Sequence, residues 1–431
     1  MTDDEQPTTP ALSGDRDPMA LHSTTVPSPP EHPPGPVSSG AAAAGPAPYA
    51  VRPGPAVAPG SPSLPPFLDR PVRRRRPTSW RRTVVWTVLV VVVIAVVVAS
   101  RVNLNYYAIQ PGSAESVQPF IEVPADRAHP VRHPVLLTDV RESRVTALTY
   151  PFFRLDPNTA LYSVPSVTGG TAPSELDAQG TLEMSQAEQA AKTSALRYLG
   201  YRVPATPAGA VIAGTFVGTP AYGVLNVGDV VTAVDGTSTP SAETLTTVLA
   251  THHSGQTVVF SVRKGGTGSP VPVPLELRRT KVNVGGQTIY LDVGIEPEDQ
   301  FDYTYPFPIS IDVVDIGGPS AGLAMTLGVI DTLSGGSLTG GHTVAATGTM
   351  DATGDVGDVG GVAQKTVAVE NAGATIFLVP PQEYSAAMSK DRPGLRIYPV
   401  SSLEQAMQVL RENGGHVASV ALDAAASTSA G

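Results

Sequence analysis

The sequence contains no cysteine among its 431 residues. This absence excludes disulfide bonds, thiolate metal sites and cysteine nucleophiles, although it leaves the redox compartment undecided. The eight histidines are scattered and no H-E-x-x-H motif occurs, which argues against metal catalysis. No G-x-x-x-x-G-K-[ST] motif occurs either, so the sequence gives no sign of a phosphate-cradling loop or of ATP use. We therefore expect neither a metal nor a cofactor.

Basic residues are also in short supply, with 28 Lys and Arg against 38 Asp and Glu, for a net charge of −10. Residues 73–101 carry seven basic and no acidic side chains, whereas residues 102–431 carry 18 basic and 31 acidic ones. Because phosphate neutralisation supplies most non-specific affinity for nucleic acids, an acidic folded part argues against nucleic-acid binding.

The first 72 residues include only two aromatic side chains, Tyr49 and Phe67, and no isoleucine, and they hold 18 of the 43 prolines. Such a composition cannot bury enough apolar surface to offset the entropy lost on ordering. We predict that residues 1–72 form a disordered, proline-rich cytoplasmic tail.

A single long apolar run is present, from Thr83 to Ser100, with 18 residues and no charge. As a helix it would span about 27 Å of a hydrocarbon core about 30 Å thick. Six arginines between positions 73 and 82 precede it and Arg101 follows, so the positive-inside rule places the N-terminus in the cytoplasm. We predict a single-pass cell-membrane protein, with residues 83–100 as the transmembrane helix and everything after Arg101 extracytoplasmic. A cleaved signal peptide is the weaker alternative.

Residues 102–204 show no single periodicity. They contain a strand-like run at Val135–Val140 and a helix-like stretch at Ser185–Leu199. We predict no fold for this juxtamembrane region.

From about residue 205, short β-runs surround one predicted helix, Ala242–Thr251. The runs are Val211–Val217, Val230–Val234 and Val258–Val262. With Leu225-Asn226-Val227-Gly228-Asp229 and Val234-Asp235-Gly236, this order resembles a PDZ domain over residues 205–280.

The PDZ resemblance implies a groove between a strand and the helix, where an extended peptide adds as an extra strand. The family's carboxylate-binding loop would lie just before Val211, and the sequence has only Pro207-Ala208-Gly209-Ala210 there. The alternative is a β-rich spacer that binds nothing.

Beyond Pro306 the sequence has an α/β pattern, in which a predicted strand, Ile309–Val314, leads through glycines to Ser320 and an apolar helix. At a helix N-terminus, unpaired backbone N–H groups and the helix dipole stabilise a developing oxyanion. Ser320 is therefore a candidate nucleophile. The alternative is a serine that caps the helix.

A second element follows the predicted strand Thr343–Thr347: a glycine-rich loop that opens an apolar helix carrying Lys365. Burial among alanines and valines lowers a lysine pKa, and a neutral amine is enough to activate a neighbouring serine. The alternative is a solvated lysine on an outer helix face.

These segments resemble the two signature blocks of the Lon-type proteolytic domain. The blocks are Gly318-Pro319-Ser320-Ala321-Gly322 and the run from Thr347-Gly348 through Gly354-x-Val356 to Val359-Gly360-Gly361-Val362-x-x-Lys365. The similarity continues through Ala372-Gly373-Ala374, Val379-Pro380 and Ile397-Tyr398-Pro399-Val400 to a terminal helix with a Ser401-x-x-Glu404 capping box.

In that family a Ser/Lys dyad hydrolyses peptide bonds. The resemblance implies Ser320 as nucleophile, Lys365 as general base and Thr347 as the hydroxyl that supports the lysine. It also implies an oxyanion hole of backbone amides at and around Ser320, with Gly318, Ala321 and Gly322 as supporting residues. Lon enzymes usually carry an acidic residue three positions before the serine, where this sequence has Gly317, and we assign no role to Asp315.

The sequence thus predicts a multidomain chain: tail 1–72, transmembrane helix 83–100, juxtamembrane region 102–204, PDZ-like module 205–280, α/β (α+β) Lon-type domain 283–415 and disordered tail 416–431. This order resembles the membrane-anchored YlbL-like proteases of bacteria. The resemblance implies an ATP-independent serine endopeptidase that cleaves extracytoplasmic proteins or peptides, and a homo-oligomer formed through the proteolytic domain.

Two alternatives remain. One is a non-catalytic PDZ peptide-binding scaffold with an inactive protease-like domain. The other is an α/β-hydrolase with G-x-S-x-G at Ser320 and its histidine at His342 or His416.

Overall fold

The computed structural model describes residues 80–168, 173–284, 287–313 and 318–418. The predicted tail 1–72, the arginines at 73–76, Asp315, Gly317 and the end of the chain from 419 lie outside the described residues. Helix α1, Trp80–Arg101, includes the predicted transmembrane segment and buries none of its residues. The chain divides into two compact units, and the residues from Ala99 onward belong to one of them.

Eight further helices and eighteen strands occur in the described part. The helices are α2 (Tyr150–Leu155), α3 (Val164–Thr168), α4 (Pro173–Tyr198), α5 (Ala242–Leu249), α6 (Gly322–Ser334), α7 (Val362–Asn371), α8 (Tyr384–Met388) and α9 (Leu403–Glu412). The strands are β1 (Asn103–Ser116), β2 (Ile121–Glu122), β3 (Leu136–Thr146), β4 (Ala160–Ser163), β5 (Ala205–Thr215), β6 (Val230–Val234), β7 (Thr237–Ser238), β8 (Thr257–Arg263), β9 (Val271–Glu276), β10 (Thr280–Val284), β11 (Gln287–Leu291), β12 (Ile295–Tyr303), β13 (Ser310–Ile311), β14 (Val344–Ala346), β15 (Thr349–Met350), β16 (Val356–Gly357), β17 (Ile376–Val379) and β18 (Arg396–Pro399).

The first large sheet has the strand order β18-β17-β14-β3-β1-β4. Its β14, β17 and β18 are parallel and are joined through α7 and α8, as expected for an α/β pattern. Side chains alternate across it: Val344, Ala346, Ile376 and Leu378 pack in one core with α4 and α6. Their neighbours Ala345, Phe377 and Val379 pack in another core with α7 and α8. Burial on both faces explains why these strands are apolar throughout.

The juxtamembrane region, whose fold we could not predict from the sequence, supplies half of this sheet. Strands β1, β3 and β4 all lie within residues 102–204, and β3 pairs with β14 through Leu136 and Ala345. Helix α4, from the same region, packs against α6. The predicted segment 283–415 therefore does not form this part of the fold alone. Three strands and a packing helix come from residues that precede the PDZ-like module.

The second large sheet has the order β12-β5-β6-β8-β9, with β7 paired to β6. Its core is formed by Ile212, Val231, Leu245 and Phe260 among others. The edge strand β12 lies outside the predicted module 205–280, yet it pairs with β5 along nearly its whole length, from Ile295 opposite Thr215 to Tyr303 opposite Ala205.

Two local predictions differ from the structure. Within the described residues, the predicted strand Ile309–Val314 is reduced to β13, which pairs with the two-residue β2, and Val314 lies outside those residues. The predicted cap of the last helix at Ser401 is wrong. Ser402 is the N-cap, with a side chain that accepts from Gln405 N, while Glu404 pairs with Arg411.

Candidate active site

Ser320 lies in a short 3₁₀ turn, Pro319–Ala321, immediately before α6. The turn begins at Gly318, whose φ of 84° and ψ of 158° suit only glycine. The Ser320 carbonyl accepts from Gly348 N at 3.0 Å. The serine is thereby fixed to the segment that follows β14.

Two of the backbone N–H groups that follow the serine already donate hydrogen bonds within the fold. Gly322 N donates to Pro319 O, and Leu323 N donates to Gly348 O at 3.1 Å. A Cβ on Gly322 would collide with the backbone of Met350, so glycine is required there for close packing. Of the residues predicted around an oxyanion hole, Gly322 therefore serves packing through its small size, and its amide is already occupied.

Lys365 lies in the first turn of α7 and is only 2% exposed. Its Nζ donates to Thr347 Oγ1 at 3.1 Å. Thr347 is fully buried, and its backbone N–H donates to Leu378 O, which continues the pairing of β14 with β17. The hydroxyl of Thr347 in turn donates to the Ser320 carbonyl oxygen at 3.2 Å. One buried hydroxyl thus links the candidate base to the candidate nucleophile.

Among the described residues, Lys365 Nζ makes no hydrogen bond to Ser320 Oγ. Catalytic hydrogen bonds are often long in unliganded sites and shorten when substrate binds. The connection in this structure runs from Lys365 through Thr347 to the Ser320 backbone.

Burial lowers the pKa of Lys365 from 10.5 to about 7, because removing the ammonium from water disfavours its charged form. The carboxylates of Asp139 and Glu383 act in the opposite direction and hold the pKa above the value that burial alone would give. Neither acidic residue was predicted from the sequence. Asp139 belongs to β3, whose fold the sequence left open, and no motif marks it.

The two histidines of the α/β-hydrolase alternative lie at the end of α6 that is distant from Ser320. His342 N donates to Thr339 O, and His416 N donates to Ser337 O, just beyond the C-terminus of that helix. Ser320 precedes its N-terminus, and a helix of 13 residues is about 20 Å long. A Ser-His pair is therefore excluded for either histidine.

A peptide groove is the second candidate site. Helix α5 lies against both β5 and β12, and β12 is the edge strand of its sheet. Asp299 of β12 accepts from Ala242 N at the start of α5, at 2.8 Å. The strand that would border such a groove is thus β12, and the turn before it contains Gly294 at a φ of 82°. Residues 207–210, where the resemblance placed the carboxylate-binding loop, lie within β5.

Comparison with known proteins agrees with this architecture. Residues 311–412 match the family model of the Lon protease (S16) C-terminal proteolytic domain, and residues 197–275 match that of the PDZ domain. A Lon protease of Chloroflexus aggregans is 29% identical over 137 residues, which cover 29% of this chain and 16% of that protein. Lon protease 2 of Bacillus subtilis is 31% identical over 126 residues, which cover 29% of this chain and 22% of that protein. The similarity therefore spans less than a quarter of either relative.

The chain carries a Lon-type proteolytic domain, and this homology supports a serine protease. It combines that domain with a PDZ domain and with one helix, α1, that is long and apolar enough to cross a membrane.

Proposed function

We propose that the protein is an ATP-independent, membrane-anchored endopeptidase that cleaves extracytoplasmic proteins or peptides with a dyad of Ser320 and Lys365. Three features support the proposal: the buried lysine beside the serine turn, the PDZ domain and the apolar helix α1. The observation that carries it is the hydrogen bond from Lys365 Nζ to Thr347 Oγ1, which holds a fully buried amine beside the serine turn.

The proposed reaction begins with a neutral Lys365 amine. One of its N–H groups donates to Thr347, which leaves the nitrogen lone pair to accept the proton of Ser320 Oγ. Ser320 Oγ attacks the scissile carbonyl, and backbone amides of the serine turn stabilise the oxyanion. The lysine then gives its proton to the leaving amine, and water hydrolyses the acyl-enzyme by the same proton route in reverse.

The PDZ groove is proposed to present the substrate. An extended peptide would add to the free edge of β12, so that main-chain hydrogen bonds supply affinity without a strict sequence requirement. Tyr303, the last residue of β12, precedes Ser320 by only 17 positions. Peptide docking and cleavage are therefore assigned to neighbouring parts of the chain.

The location and assembly are part of the same proposal. The basic residues before α1 favour a cytoplasmic N-terminus and an extracytoplasmic proteolytic domain. Protease added to right-side-out vesicles should then digest the chain beyond Arg101, and protection of that part would refute the topology. Self-assembly through the proteolytic domain is proposed from the Lon resemblance alone, and analytical ultracentrifugation in detergent tests it.

The dyad is tested with the full chain in detergent and fluorescein-labelled casein. We expect Ser320→Ala and Lys365→Met each to reduce turnover by about a thousandfold or more, with unchanged melting temperatures or higher ones. The matched controls are Ser401→Ala and Lys281→Met, which alter an exposed serine and an exposed lysine. Retained turnover in either dyad variant would refute the mechanism. Peptide binding without any turnover in the unaltered protein would favour the non-catalytic scaffold.

A further inference from the structure

The segment that follows α1 presents apolar side chains on its surface. Phe152 and Leu155 are 68% and 83% exposed, and Val102 and Tyr106 are 46% and 39% exposed. These four residues are called the exit patch below. Single exposed apolar residues are ordinary on protein surfaces, whereas a group of this kind marks a site of interaction.

Hydrogen bonds tie the exit patch to the end of α1. Ala147 N donates to Val102 O at 2.9 Å, and Leu148 N donates to Ala99 O at 3.1 Å. Helix α2 begins only two residues later. The rings of Tyr106 and Tyr150 lie 5.9 Å apart between centroids and connect β1 to α2. The patch therefore belongs to the part of the fold that directly continues α1.

The apolar face of α2 is held outward from both of its ends. Phe152 and Leu155 are three residues apart and so share one face of the helix. Beyond the C-terminus of α2, Lys390 Nζ donates to Pro157 O at 2.6 Å. Before its N-terminus, Thr146 N donates to Thr149 Oγ1 at 2.9 Å. Both flanks are fixed, so the fold presents these side chains instead of burying them.

We infer that the exit patch is a second membrane contact, in which Phe152 and Leu155 enter the interfacial layer of the bilayer. The inference rests on the proposed anchoring by α1. If residues 83–100 span the membrane, chain continuity places Ala99 and Val102 at its outer surface, and both are bonded to the segment that leads directly into α2.

The chemistry of the patch fits a lipid surface. Aromatic and aliphatic side chains favour the interfacial layer, where their apolar parts leave water. Arg101 and Arg154, which adjoin Val102 and Leu155 in the chain, are exposed, and their charge suits anionic headgroups. Only Val102 separates α1 from β1, and the second contact would keep the proteolytic domain from swinging about this residue.

The absence of cysteine makes a direct test simple. Single-cysteine variants Phe152→Cys and Leu155→Cys of the full chain are labelled with the environment-sensitive dye NBD and reconstituted into phosphatidylcholine–phosphatidylglycerol vesicles. Val217→Cys is the matched control, since Val217 is 58% exposed in the PDZ domain. Val91→Cys, near the centre of α1, reports on anchoring itself.

We expect the labels at 152 and 155 to shift to shorter emission wavelength and to lose intensity when the vesicles contain nitroxide-bearing lipids, while the label at 217 does neither. If the label at 91 is quenched but those at 152 and 155 behave like the one at 217, the inference is wrong and the anchoring stands. If the label at 91 is also unquenched, the proposed anchoring fails. Labels at 152 and 155 that are shielded from water but not quenched would indicate contact between copies of the chain, which also overturns the inference.

Discussion

Raising the pH from 5.5 to 8.5 is expected to increase kcat/KM for peptide cleavage about 30-fold, with an inflection near pH 7. The reason is the buried amine of Lys365, whose pKa is about 7. A base with this pKa is about 3% neutral at pH 5.5 and about 97% neutral at pH 8.5. At pH 7.5 about three quarters of the molecules hold a neutral amine, compared with about 0.1% for a lysine in water. Burial therefore enlarges the reactive population about 800-fold.

The carboxylates near Lys365 allow a second test of the same pKa assignment. Asp139 and Glu383 stabilise the ammonium and raise its pKa, with Asp139 the stronger of the two. Asp139→Asn should therefore move the inflection of the pH profile to lower pH, and Glu383→Gln should move it less in the same direction.

The assay is cleavage of a quenched fluorescent peptide by the full chain in detergent, at constant ionic strength in a mixed buffer. Lys365→Met should show no pH-dependent activity and thereby controls for titration of the substrate. An inflection above pH 9, a flat profile, or an upward shift in Asp139→Asn would refute the assignment of Lys365 as a neutral base.

Three further variants test other contacts. Thr347→Val should lower kcat about 10- to 100-fold, because it removes a buried hydrogen bond of about 1–3 kcal/mol, whereas Thr347→Ser should retain most activity; equal losses in both would contradict the role of the hydroxyl. Burial raises the pKa of Asp331 to about 6, so the free energy of unfolding should fall by up to about 3 kcal/mol as the pH rises from 4 to above 6. Asp331→Asn should abolish that fall in urea titrations at pH 4 and 7.5, and an unchanged pH dependence would disprove it. Ser402→Ala should lower the melting temperature through loss of a cap that contributes about 1 kcal/mol, and Ser401→Ala should lower it less; the reverse order would contradict the observed cap.

The sequence predicted the serine turn and the lysine helix because both are local and both carry short motifs. Gly318 and the apolar stretch around Lys365 specify these conformations within a few residues. The pKa of Lys365 also depends on Asp139, which is more than 200 positions earlier in the chain. No pattern within one element could have brought that carboxylate to the site.

The candidate peptide groove is a second feature that depends on a distant part of the chain, which local motifs do not predict. The motifs from Val211 to Val262 identified a PDZ domain, and the structure contains β5, β6, β8 and α5. The bordering strand β12 comes after a hairpin and contains four acidic residues, so it does not resemble a continuation of that domain. The sequence predicted a groove within one contiguous segment, whereas the edge strand that contacts α5 lies beyond residue 280. In the last helix, Ser401 and Ser402 are each followed three positions later by a residue that suits a capping box, Glu404 and Gln405. The sequence motif therefore fits both serines, and the backbone geometry identifies Ser402 as the cap.

The PDZ segment lies in the chain between β3 and β14, which pair with each other in the first sheet. This order has a consequence for biosynthesis. Leu136 of β3 must await Ala345 of β14, which is 209 positions later, or about 10–40 s at ordinary translation rates. When the inserted domain folds first, the pairing of Ala205 with Tyr303 shortens the loop by nearly half, which lowers the closure entropy by only about 0.6 kcal/mol. Chain entropy is therefore a minor obstacle. The open edge of β3 is the larger one, since an unpaired strand edge is a site for aggregation, and newly made chains should depend on a chaperone for that interval.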